Sequence, residues 1–261
     1  MDLLLKGRLV VVTGASAGIG RATAIALARE GAALLLGARR SDRLSAVADE
    51  ARELGASQVD IAATDLTTPE GIAKLAAAAN RIGEVHGVVT CVGSTPLGAF
   101  DELDDTTWQR AFDMKFLATV RVIRSLLPLL TRDGTGRLVL IGGNSALEPD
   151  PWMATSGAMN AALGNLAATL GRQLGPSGIG VACVHPGPTR SARLGGLVDS
   201  VAARLALPPS EAEQWITARI PRGALAEPED IAAAVAFLCS PVATHVSGTT
   251  VSIDGAQSWA H

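Results

Sequence analysis

The chain contains no tyrosine, and only four phenylalanines and four tryptophans among its 261 residues. Catalysis through a tyrosine hydroxyl is therefore excluded by composition alone. Lysine is also scarce, with Lys6, Lys74 and Lys115 standing among 22 basic residues. The net charge is −3 and no basic run exceeds an arginine pair, which argues against a polyanion-binding surface and hence against a nucleic-acid partner. The three cysteines, Cys91, Cys183 and Cys239, lie far apart. They form neither a zinc knuckle nor a CxxC redox pair, and read as small buried hydrophobes of a reducing compartment. No metal site is expected. No apolar run approaches the ~20 residues that span a membrane. The apolar opening, Met1 to Val12, is interrupted by Lys6, Gly7 and Arg8 and leads straight into a glycine loop. It reads as a first strand rather than a signal peptide. These absences lead to the expectation of a soluble, cytoplasmic protein with no membrane partner.

Apolar residues make up 48% of the chain and charged residues 18%, a globular balance. Residues 1–261 can form one α/β domain. Short apolar runs read as strands at Leu9–Thr13, Ala33–Gly37, Gln58–Ile61, Gly87–Cys91, Arg137–Ile141, Gly180–Val184 and Thr249–Ile253. Most are too continuously apolar to alternate, as parallel strands covered on both faces are. Helical periodicity falls between them, at Gly18–Arg29, Asp42–Leu54, Pro69–Ile82, Thr107–Leu130, Trp152–Leu174 and Pro228–Cys239. Ser41, Thr68 and Thr106 are candidate helix caps, and prolines follow Thr68 and Glu227 at first turns. The alternation predicts a Rossmann-type, doubly wound parallel sheet of about seven strands with helices on both faces. The least regular stretch, residues 188–222, follows the sixth strand, and is expected to cover a substrate pocket at the carboxyl edge.

The segment Thr13-Gly14-Ala15-Ser16-Ala17-Gly18-Ile19-Gly20 sits directly between a strand and a helix. In that setting Gly14 permits the tight turn. Gly18 lets backbone approach a pyrophosphate, and Gly20 lets the helix pack on the strand. The helix N-terminus offers N–H groups and positive dipole to the phosphates. An NAD site needs a carboxylate at the end of the second strand; this chain has Gly37-Ala38-Arg39-Arg40 there. A guanidinium at Arg39, with Arg40 beside it, suits a 2′-phosphate instead. The residues therefore point to NADP(H).

The TGxxxGIG spacing resembles that of the short-chain dehydrogenase/reductase family in its single-domain form, and the resemblance runs through nearly the whole chain. It implies that Ser16, Ala17 and Ile19 line the phosphate loop, and that Asp65 and Leu66 are the adenine-side pair. It implies that Gly93 closes the segment after the fourth strand, and that Pro186, Gly187, Thr189 and Ser191 lie near the carboxamide. Working members of the family carry Asn, Ser, Tyr and Lys. Here the asparagine position falls on Lys115 and the serine pair on Gly142-Gly143, with Asn144 and Ser145 just beyond. The YxxxK motif falls on Met153 and Gly157.

Lys115 is a candidate acid, reaching into space left by Gly157, or else a residue that orders backbone or ribose oxygens. Ser145 and Asn144 are candidate carbonyl donors. Gly143, Trp152 and Met153 are candidate pocket residues, and His185 reads as a packed strand-end histidine. The leading expectation is an atypical NADPH-dependent carbonyl reductase acting on an apolar small-molecule ketone. An NADP(H)-binding sensor, an inactive subunit of an oligomer and a non-redox enzyme on the same fold remain open. The family resemblance implies a homodimer or homotetramer, paired through the helices at 107–130 and 152–174.

Overall fold

A computed structural model of the chain describes residues 1–93 and 95–259. Seven strands form one parallel sheet: β1 (Leu9–Thr13), β2 (Ala33–Ala38), β3 (Gln58–Ala63), β4 (Gly87–Thr90), β5 (Gly136–Ile141), β6 (Ile179–Pro186) and β7 (Thr249–Ile253). Their order is β3-β2-β1-β4-β5-β6-β7. The chain direction reverses across the sheet between β1 and β4, and ligands of open α/β sheets bind at such a switch point. The five central strands are buried throughout, whereas the edge strands β3 and β7 are partly exposed. Because side chains alternate across a strand, Val10 and Val12 enter one core while Leu9 and Val11 enter the other.

The helices are α1 (Gly18–Arg29), α2 (Ser41–Glu53), α3 (Pro69–Ile82), α4 (Asp105–Ala111), α5 (Ala118–Leu126), α6 (Ala154–Leu174), α7 (Ala192–Leu205), α8 (Pro209–Ala218) and α9 (Pro228–Cys239). Helices α1, α2 and α9 cover one face of the sheet; α3, α5 and α6 cover the other. Thr68 caps α3, its side chain accepting from the Gly71 N–H. Two expected caps differ. Ser41 is the first residue of α2 rather than its cap. Asp104, not Thr106, caps α4, its carboxylate accepting from the Thr107 N–H at 2.8 Å, so the helix starts earlier than expected. The continuous helix expected over 107–130 is interrupted. Phe112–Leu117 is a π turn and Leu127–Leu129 a 3₁₀ turn containing Pro128. A π turn inserts one extra residue and re-aims the side chains around it.

Residues 188–222, expected to be irregular, carry α7 and α8. These pack on each other through Leu194, Val198, Val201, Ala212 and Ile216. Arg190 pairs with Glu213 and Glu227, each at 3.1 Å, and Arg204 with Glu102 at 2.7 Å. Arg204 also lies 5.5 Å over the Trp152 ring. No described helix is long and apolar enough to cross a membrane, and no metal-ligand cluster occurs among the described residues.

Candidate active site

The registers Thr13↔Gly37, Thr13↔Thr90 and Thr90↔Leu140 bring the strand ends together. Clefts open along that edge. The turn after β1 is glycine-dependent. Gly14 has φ +66°, and a Cβ there would lie 2.3 Å from the Cys91 carbonyl oxygen. A Cβ on Gly20 would lie 2.4 Å from the Gly14 carbonyl oxygen, so Gly20 lets α1 approach the turn after β1, and Gly14 lets that turn approach the segment after β4. Ala17 is the N-cap of α1 and supplies no side-chain cap, which leaves the first-turn N–H groups for an anion.

A cleft of about 980 Å³ runs from this turn past β2 and β3, lined by Gly14, Ser16, Ala17, Arg39, Asp65, Leu66 and Gly93, among others. Arg40 also lines it, donating to Ser16 Oγ at 3.1 Å. Asp65 accepts from the Thr67 N–H and hydroxyl, at 2.9 and 2.8 Å. Those bonds, helped by the charge of Arg39, hold its carboxyl below the usual range. Gly93 packs so tightly on the π turn that a Cβ would lie 2.9 Å from the Lys115 Cα.

On the other side of the switch point, a cleft of about 670 Å³ is lined by Ile19, Gly143, Asn144, Ser145, Pro186, Gly187, Thr189 and Ser191, among others. It also contains two residues that the sequence reading missed, Ser156 and Asn160. Asn160 Nδ2 donates to Ser145 Oγ at 3.0 Å and to Ser156 Oγ at 3.3 Å, and the two hydroxyls stand 3.5 Å apart. All three residues are buried, and Asn160 Oδ1 has no partner among the described residues. A buried acceptor without a donor is costly unless something supplies one.

This geometry corrects the expected register of α6. Gly157 leaves no space for an incoming lysine, because a Cβ there would lie 3.0 Å from the Ser145 carbonyl oxygen. The side chains that meet Ser145 belong to Ser156 and Asn160, an i,i+4 pair three residues beyond Met153 and Gly157. The downstream Ala161-Ala162-Leu163 run is the signal that could have fixed this register. Gly143 belongs to the same arrangement, since a Cβ there would lie 2.6 Å from Asn160 Nδ2.

Lys115 is 5% exposed. Its Nζ donates to the Gly142 carbonyl at 3.1 Å, so it stands behind the wall of the cleft rather than in the position expected at Gly157. Burial pushes its pKa down to about 8, and nearby Arg193 adds repulsion. His185 Nδ1 accepts from the Gly143 N–H at 3.1 Å, and burial pushes its pKa down to about 4. It is a neutral packed histidine that fixes the glycine pair. Asn144 donates to Gln257 Oε1 at 2.8 Å.

An adjoining cavity of about 620 Å³ shares Asn144, Ser145 and Met153 with this cleft and adds Trp152 and Trp215. The two indole rings lie 6.3 Å apart.

A parallel sheet of this order, with a glycine turn feeding an uncapped helix at the switch point, defines a dinucleotide-fold protein with a buried polar cluster beside the nucleotide cleft. Residues 14–256 match the family described as enoyl-(acyl carrier protein) reductase. The chain is 31% identical to the NADPH-dependent reductase BacG of Bacillus subtilis (strain 168), over 96% of this chain and 98% of that protein. It is likewise 31% identical to an A-factor type gamma-butyrolactone 1′-reductase (1S-forming) of Streptomyces virginiae, over 97% and 96%. The solved structure of L-sorbose reductase from Gluconobacter frateurii with NADPH and L-sorbose superimposes with a TM-score of 0.90 at 28% identity, covering 98% of each chain. The chain belongs to the short-chain dehydrogenase/reductase family of oxidoreductases.

Proposed function

We propose that the protein is an NADPH-dependent carbonyl reductase in which a serine pair, held by an asparagine, replaces the family's tyrosine and lysine. The observation that carries this reading is the Ser145–Ser156–Asn160 cluster, buried in the cleft next to the glycine loop.

The residues present fit the dinucleotide. The uncapped first turn of α1 suits the diphosphate. Arg39 and Arg40, with no acid at the end of β2, suit the 2′-phosphate of NADP(H). Asp65 and Leu66 line the same cleft, and Pro186, Gly187, Thr189 and Ser191 line the reaction side. When bound, NADPH supplies the hydride that the carbonyl carbon gains, its oxygen taking a proton as NADP⁺ is left.

The chain's own residues handle the oxygen. Ser145 and Ser156 offer hydroxyl donors where negative charge develops, and Asn160 fixes their orientation. Lys115, one residue behind Gly142, adds positive potential in a poorly solvated wall. Ser156 lacks the acidity of a phenol, so proton delivery comes through solvent or a substrate hydroxyl. That favours activated ketones. The Trp152–Trp215 cavity, lined by Met153 and Leu197 and also by Glu148, Asp150 and Arg219, suits an apolar body against the indoles, with α7 and α8 covering it.

The test is NADPH oxidation across a panel of activated ketones by the wild type and by Ser145→Ala and Ser156→Ala variants. Oxidation that falls in both variants supports the reading. Unchanged turnover in both overturns the serine-pair mechanism.

A further inference from the structure

Arg193 is the second residue of α7 and lines the same cleft as Ser145, Ser156 and Asn160. No aspartate or glutamate lines that cleft. Arg21, Arg52, Arg190 and Arg204 each have a carboxylate within ion-pair distance, but Arg193 has none among the described residues. Among the described residues one of its five N–H donors is used, to Thr95 Oγ1 at 3.2 Å. Arg193 is exposed, although protein packed around its guanidinium lowers its pKa. It also stands near enough to Lys115 for the two cations to repel each other. A guanidinium with open donors in a cleft lined by no carboxylate is placed to bind an anion.

Resting on the reductase reading above, we infer that Arg193 receives a carboxylate of the substrate next to the carbonyl that is reduced, so that the substrate class is an oxo acid with an apolar body. The cofactor's diphosphate is the other possible source of anionic oxygen. Two placements favour the substrate. Ser191 stands over the phosphate turn, its Cβ 3.6 Å from where a Gly18 Cβ would be. Arg193 is two residues further along and donates to Thr95, in the segment that follows β4. The first-turn amides of α1 already face the diphosphate. From Arg193 the cleft continues past Ser145 into the Trp152–Trp215 cavity, whose indoles can take the apolar body while Glu148 and Asp150 on its wall disfavour a carboxylate there.

The test compares benzoylformate with its methyl ester, which keep the same ketone and ring and differ in charge. Binding is read by calorimetry on protein saturated with NADP⁺, a measurement independent of turnover, and KM and kcat by NADPH oxidation. The expected results are that wild type prefers the acid and that Arg193→Ala weakens it about 10–100-fold. The ester should change less than about twofold, NADPH affinity should be unaltered, and Arg193→Lys should recover part of the loss. Equal affinity of wild type for acid and ester overturns the proposal, as does binding of neither. Loss of NADPH affinity in Arg193→Ala, with the acid unaffected, assigns the guanidinium to the diphosphate and also overturns it. If wild type binds no NADPH, the reductase reading fails, and that outcome is separate because the other arms are run on cofactor-saturated protein.

Discussion

Asn160 Nδ2 occupies the space that a side chain at position 143 would need: a Cβ on Gly143 would lie 2.6 Å from it. The missing side chain on the loop after β5 and the amide on α6 are two halves of one arrangement, which ends on Ser145 and Ser156. In Gly143→Ala the Asn160 amide must move and lose those bonds. The expected cost is about 1–3 kcal/mol, seen as a melting temperature lower by several degrees and accompanied by a fall in kcat. An unchanged melting temperature together with unchanged kcat would contradict the arrangement.

The register of α6 makes a gain-of-function prediction. Ser156→Tyr with Asn160→Lys restores the family's acid and its partner at the positions that face Ser145. A positioned general acid contributes typically ~10²–10⁴-fold. At least about tenfold faster NADPH oxidation is expected on an unactivated ketone. Met153→Tyr with Gly157→Lys should give no gain, because Gly157 abuts the Ser145 carbonyl. The opposite ranking of the two double variants would restore the register expected from sequence.

Cofactor choice rests on Arg39 and Arg40. Replacing either with alanine removes a cation from the wall of the 980 Å³ cleft. NADPH binding should weaken about 10–100-fold, with NADH binding nearly unchanged. Nucleotide fluorescence titrations check both. Equal losses for the two nucleotides would place these arginines elsewhere than at the 2′-phosphate.

Lys115 has a signature in stability. Its pKa is near 8 in the folded chain, against an ordinary 10.5. Between those values the unfolded chain binds more protons, so stability rises as pH climbs from about 8 to about 10.5. Below pH 8 the cost of the buried cation is fully present. Lys115→Met should flatten that rise and stabilise the protein at pH 7 by about 1–3 kcal/mol. Denaturant melts at pH 7, 9 and 10 check this, and parallel pH dependence in both proteins would contradict it. Loss of kcat in the same variant would support the positive potential assigned to Lys115.

Much of the fold was legible because local and global signals agree. The ranges of β1, α1, α3, α9 and β7 read directly from apolar runs, prolines and the glycine loop. The phosphate turn was legible for the same reason: only glycine fits at positions 14 and 20. What stayed hidden depends on side chains meeting across elements. Met153/Gly157 and Ser156/Asn160 share one spacing, and without a tyrosine or lysine only the downstream Ala161-Ala162-Leu163 run distinguished them. The π turn leaves the apolar pattern intact while turning Lys115 toward Gly142. Arg193 lies in a stretch that read as irregular cover, and only the helical path of α7 carries it into the cleft.

Thermal melting with NADPH, NADH and no nucleotide tests the central claim most directly. A ligand that binds only the folded state stabilises it by about 2.7 kcal/mol at 100 times its Kd. The account predicts a clear upward shift with NADPH and a much smaller one with NADH. No shift with either nucleotide would contradict it.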